Sequence, residues 1–183
     1  MSREERIIKH AAKRHHLHFE PDEIDELASG LLFSSHSRTL ISARGVVGDS
    51  EVILQLRDLL LKDESKALAR HHRATLVATP LLEPMPFLVC AQPLAPAVSL
   101  MISHVLAAWN RQEHTGRKVY YPPDSAEHLA LFERVANHLP QDWCAEGTKH
   151  YLQLFKLPAT ADENNLEEVM QLAGELRPLL VTA

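Results

Sequence analysis

"SEVILQLRDLLLKDESKALARHHR", residues 50–73, holds apolar side chains at Val52, Ile53, Leu56, Leu59 and Leu60. Those intervals place five side chains on one face of a helix. Ser50 or Asp49 stands where an N-cap belongs. The tract therefore predicts a helix over 50–62, followed by a basic helix, "ESKALARHHR", to about residue 73. Two helices here make the chain mainly α-helical, and the flanking segments extend the pattern.

Upstream, residues 2–17 read as a helix that Ser2 and Glu5 open as a capping box. Ile7, Ile8, Ala11 and Ala12 form its narrow apolar stripe. Residues 21–33 read as a second helix. Pro21 suits its first position, acidic side chains crowd its first turns, and Ile24, Leu27, Ala28, Leu31 and Leu32 face inward. The junction "KHAAKRHHLHFEPDEIDE", residues 9–26, is then a basic helix end, a tight corner and an acidic helix start. Phe19 is placed to pack on Ile24 as a hydrophobic staple. Residues 34–49 read as a loop with a short strand.

Downstream, "ATLVATPLLEPMPFLVCAQP", residues 74–93, allows a small β-hairpin near 75–91 around a proline-rich connection. Residues 95–113 read as a helix apolar nearly all round, hence central, with Val105 and Trp109 in the core. "GRKVYYPPD" reads as an extended link. Residues 125–139 read as a helix capped by Asp124 and Glu127, with Leu129, Phe132, Val135, Ala136 and Leu139 inward. Residues 141–157 read as one helix weakened at Gly147. Thr160 and Glu163 open a last helix with Leu166, Val169, Met170, Ala173 and Leu176 inward. The expected fold is a single domain over 1–183: an irregular helical bundle of about seven or eight helices. An N-terminal helical subregion, 1–73, would pack on a core of 94–183.

The chain of 183 residues is 45% hydrophobic and 23% charged, enough apolar material for a proper core. The net charge of -5 argues against the whole molecule binding a polyanion. The charge is unevenly spread, however. Residues 1–75 hold twelve Lys/Arg and twelve Asp/Glu, so the excess of acid lies in the remainder. Two distant cysteines, Cys90 and Cys144, form no CxxC pair and suit a reducing compartment. The N-terminus shows no apolar signal region, and no apolar run is long enough to span a bilayer. These features together predict a cytoplasmic protein with no membrane contact.

Four uses of the chain compete. A nucleic-acid-binding regulator would use the basic, histidine-rich first third, with Arg3, Arg6, Lys9, Lys13 and Arg14, together with Lys66, Arg70 and Arg73, binding phosphates if the two basic helices lie side by side. At 5% aromatic content, with no aromatic residue among these bases, a stacking platform for single strands is disfavoured. Metal binding would draw on twelve histidines, of which His15 and His18 have the spacing of a helical pair. Arg14, between His10 and His18, would repel a cation, so no metal or other cofactor is expected. Catalysis finds no GxSxG elbow, HExxH pair or glycine-rich phosphate loop. Metal-dependent or nuclease-like enzyme activity therefore ranks below binding. Protein–protein binding or self-association remains, as an adaptor, regulator or assembly factor. Tyr120 and Tyr121, on the stiff segment before two prolines, are its candidate contact residues.

Overall fold

A computed structural model describes residues 1–20, 37–63, 68–91, 94, 96–156 and 163–180. It overturns the helical bundle. The described residues form a nine-stranded antiparallel sheet with four α-helices. In chain order the strands are β1 (His18–Phe19), β2 (Ser37–Val47), β3 (Ser50–Asp63), β4 (Leu68–Pro80), β5 (Phe87–Cys90), β6 (Asn110–His114), β7 (Arg117–Tyr121), β8 (Trp143–Gly147) and β9 (Tyr151–Lys156). The helices are α1 (Arg3–Arg14), α2 (Pro96–Val105), α3 (Leu129–His138) and α4 (Glu163–Leu176). Across the sheet the order is β1-β2-β3-β4-β9-β8-β5-β7-β6.

The described residues of the tract 50–73 form two strands, not two helices. β3 pairs with β2 on one side and β4 on the other, so it lies inside the sheet. Val52, Ile53, Leu54, Gln55, Leu56 and Arg57 are all buried. A strand covered on both faces needs apolar residues on both faces, and its alternation disappears. Successive side chains nevertheless part to opposite sides. Val52, Leu54 and Leu56 enter one core, and Ile53 and Leu59 enter the other. Gly48 and Asp49 make the turn between β2 and β3, with Gly48 at a φ of 61°. Asp49 and Ser50 are thus turn and strand residues, not a helix cap.

The first core lies beneath three helices. Ile8, Ala11 and Ala12 of α1, Phe132, Val135 and Ala136 of α3, and Leu166, Val169, Met170, Ala173 and Leu176 of α4 all join it. The sheet contributes Phe87, which stacks on Phe132 with ring centroids 4.7 Å apart. The second core lies on the opposite face, where α2 is the one α-helix among the described residues that packs on it. Val98, Ile102 and Leu106 meet Leu88, Cys90, Cys144 and Phe155 there. Each fully buried aliphatic or aromatic side chain contributes about 1.5–3 kcal/mol. The molecule is a sheet with helices on both faces rather than helices around a common axis.

Several sequence expectations hold in detail. Ser2 Oγ accepts from the Glu5 N–H at 3.2 Å and Glu5 returns a bond from the Ser2 N–H at 3.0 Å, the capping box read for α1. α3 and α4 bury the residues assigned to them, apart from a half-buried Leu129. Others fail. Residues 141–157 are the β8–β9 hairpin, because Trp143 and Tyr151 start segments that pair across Gly147–Leu152. The hairpin expected near 75–91 does not form. The chain segments there are β4 and β5, which pair with β9 and β8 instead of each other. The helix read over 95–113 stops at Val105 and continues as β6. Asp124 gives no side-chain cap; the chain enters α3 through a short 3-10 turn over Pro123–His128. The helix expected at 21–33, including Ile24, lies outside the described residues, as does Thr160.

Candidate interaction site

α2 is the element whose composition fits its place least. Its inward side is satisfied by Val98, Ile102 and Leu106. Its outward side carries Leu100 and Val105, 39% and 49% exposed, with Met101 half-buried beside them. Val105 is therefore not a core residue, and Trp109 packs against the second core only in part. The helix is apolar nearly all round, yet among the described residues only one side is covered. No Asp, Glu, Lys or Arg occurs from residue 84 to residue 110. Ser103 turns its hydroxyl back to the Ser99 carbonyl at 2.9 Å, so one of the helix's few polar groups is spent internally.

Beneath α2 the sheet presents two thiols. Antiparallel pairing of β5 with β8 brings Leu88 opposite Glu146 and Val89 opposite Ala145. One residue further along, this register sets Cys90 opposite Cys144. The Ala91 N–H donates to Cys144 Sγ at 3.3 Å. The hydrogen bond to Cys144 and burial together hold the Cys90 thiol well above its ordinary value. Cys90 is thus protonated core material.

Tyr120 and Tyr121 belong to β7, not to an extended link, and they part to opposite faces. Tyr121 is buried against Phe132, ring centroids 6.1 Å apart. Tyr120 is half-buried at the second core, and burial raises its phenol pKa. The two tyrosines thus do not form one contact surface.

The basic residues separate likewise. Arg3, Arg6, Lys9, Lys13 and Arg14 lie exposed on α1. Arg14 pairs with Glu167 of α4 at 3.1 Å, and Arg73 of β4 pairs with Glu4 at 3.1 Å. These two guanidiniums tie α1 to its neighbours. Lys66 lies outside the described residues, and only the backbone of Arg70 is described, in β4. The second basic helix does not exist, so the side-by-side pair imagined for phosphate binding has no counterpart.

His15 and His18 do not share a helix. His15 caps the end of α1 and lies 3.7 Å from Glu167, while His18 stands exposed in β1. Among the described residues no group of three or more His, Cys, Asp or Glu side chains converges as a metal would need. Again among those residues, no helix is long and apolar enough to cross a membrane.

No family model matches the sequence, and no curated protein matches it. A solved structure shares the fold. It is the crystal structure of the mycobacterial trehalose monomycolate transport factor A, TtfA, with a TM-score of 0.67. The match covers 97% of this chain and 94% of that one, at 14% sequence identity. At this identity the likeness is one of fold. The β-rich neighbour agrees with the sheet and not with a helical bundle.

The outer side of α2 is not legible in the sequence, because the same apolar residues fit a central core. The uncharged run from 84 to 110 was the available signal. A buried helix and a docking helix share that composition, and only the sheet's position distinguishes them.

Proposed function

We propose that the protein acts through protein–protein contact, as an adaptor or assembly factor, and that the outer side of α2 receives the partner. The observation that carries this reading is the exposure of Leu100 and Val105 on a helix within a sequence stretch, residues 84–110, that holds no Asp, Glu, Lys or Arg. Exposed apolar surface favours a dehydrated contact. The absence of Lys and Arg disfavours a membrane interface, where the polar face of a bound helix is normally basic. The partner with matching chemistry is an amphipathic helix of another protein, its apolar stripe laid along α2. The fold shared with a transport factor is compatible with this reading and does not select the partner.

The test places a photo-crosslinking residue at Ser103, in cells and in the purified protein. The expected result is capture of a protein segment with helical apolar periodicity, lost when Leu100→Glu and Val105→Glu are combined. Neutral phosphatidylcholine and anionic phosphatidylglycerol vesicles serve as the second arm. Vesicle binding that the same double substitution removes would replace the proposal with a membrane contact. Capture unaffected by the double substitution would overturn it.

A further inference from the structure

The two edges of the sheet are built differently. One ends in β1, only two residues long. A very short edge strand offers little to pair with. The other ends in β6, Asn110–His114, paired with β7 over five consecutive residues without a register shift. β6 contains no proline, lysine or bulge, the usual devices that blunt an edge. It is also tied to α3 by side chains. Gln112 Nε2 donates to Glu133 Oε1 at 2.9 Å, and His114 Nε2 lies 2.9 Å from Asn137 Oδ1.

The turn fixes which backbone groups of β6 point outward. Thr115 and Gly116 have φ of 49° and 76°, both positive as a type I′ turn requires. Such a turn makes His114 and Arg117 a hydrogen-bonded pair. Pairs alternate along an antiparallel ladder. Gln112 with Val119 and Asn110 with Tyr121 are therefore hydrogen-bonded pairs too. Arg111 and Glu113 fall between them, so their N–H and C=O groups face away from β7.

We propose that the chain self-associates through β6, edge to edge, as an antiparallel twofold pair centred on Gln112. Only a register that sets outward-facing residues opposite one another completes the ladder. Centring on Gln112 does so, with Arg111 of each copy opposite Glu113 of the other. Both contacts then carry paired backbone groups and opposite charges on the same face. Centring on Arg111 or on Glu113 would oppose like charges. The strand is self-complementary in the register that its own hydrogen-bond pattern demands, and an isologous contact requires just this. The association is independent of the α2 contact proposed above, since α2 contributes no residue to it.

Sedimentation equilibrium on the intact chain tests the proposal, with thermal melting to confirm that each variant is folded. The wild-type chain should show a concentration-dependent dimer. Arg111→Glu opposes four carboxylates across the axis, and Glu113→Arg opposes four guanidiniums. Each alone should weaken the dimer by about tenfold or more. An equimolar mixture of the two variants should form a heterodimer as tight as the wild-type pair, because every charge then meets its opposite. Glu113→Pro removes an outward N–H without touching the β7 ladder and should leave a folded monomer. A wild-type chain that stays monomeric at every concentration would overturn the proposal. So would a dimer indifferent to both reversals, or reversals that the mixture does not rescue.

Discussion

Arg117 reaches through the interior to the main chain of Trp143, donating to its carbonyl at 2.6 Å. The same guanidinium donates to the carbonyls of Leu139 at 2.9 Å and Pro140 at 2.6 Å. One buried cation thus fastens the end of α3 to the start of β8, and burial lowers its pKa from the usual guanidinium value. Arg117→Met should cost about 3 kcal/mol, because three carbonyls lose a charged donor in a site closed to water. Arg117→Lys should recover only part of this, since an ammonium cannot span the fork. Urea unfolding midpoints measure both, and an unshifted midpoint in Arg117→Met would refute the role.

Two glycines should lose unequal amounts of stability on change to alanine, one for reasons of space and the other of backbone. At Gly147 a Cβ would strike the Met85 carbonyl and approach the Phe87 ring to 2.5 Å. Gly147→Ala should therefore cost on the order of 2–3 kcal/mol through overpacking. At Gly48 nothing lies within 4 Å, but φ is 61°. Gly48→Ala should cost about 1 kcal/mol, from conformation alone. Equal losses in denaturant melts would contradict this account.

Glu4 provides a pH test of the α1 anchor. Its carboxyl is held below the ordinary value, first by a hydrogen bond with Ser2 and in lesser part by Arg73. A depressed carboxyl contributes stability that is present above its unfolded value and lost as pH falls through its folded value. The anchor should thus weaken on acidification and not on alkalinisation. Carbon-detected NMR titration should show the Glu4 midpoint rising in Ser2→Ala and, by less, in Arg73→Ala. A midpoint unmoved by both would remove Ser2 and Arg73 as the cause.

α2 gives the sharpest contrast between neighbouring positions. Val105→Asp should leave the melting temperature nearly unchanged, since the side chain is 49% exposed. Ile102→Asp should abolish soluble expression, because an unpaired charge would enter the second core. Expression trials of the two variants side by side settle which side of the helix is covered.

α1 and α4 were legible because each buries a single stripe, and so was α3 apart from its start. The capping box at Ser2 and Glu5 is a local device that needs no tertiary context. β3 was illegible for the opposite reason. Its residues are buried on both faces, so Val52, Ile53, Leu56 and Leu59 can satisfy a helical template as well as an extended one. Leucine's preference for helix reinforced the wrong period, and sheet burial overrode it. The signal against the helix was Gly48-Asp49 between "VV" and "SEVIL", a two-residue hairpin turn read instead as a cap. Gly147, taken as a weak point in a helix, marks the end of β8. The candidate site was hidden because a helix apolar on every side says nothing about which side the sheet will cover.

The strand order has a consequence for how the chain comes to be folded. β1 to β4 are sequential neighbours, and β5, β7 and β6 form a second group, but β9 and β8 lie between them. Residues 143–156 are thus a keystone delivered late, and during synthesis β4 and β5 emerge with their future partners still unmade. Until that hairpin arrives, the β4 and β5 sides of two half-sheets carry backbone N–H and C=O groups without their final partners. Such a topology folds slowly and invites chaperone capture on the ribosome, because its central pairings are the last that translation permits.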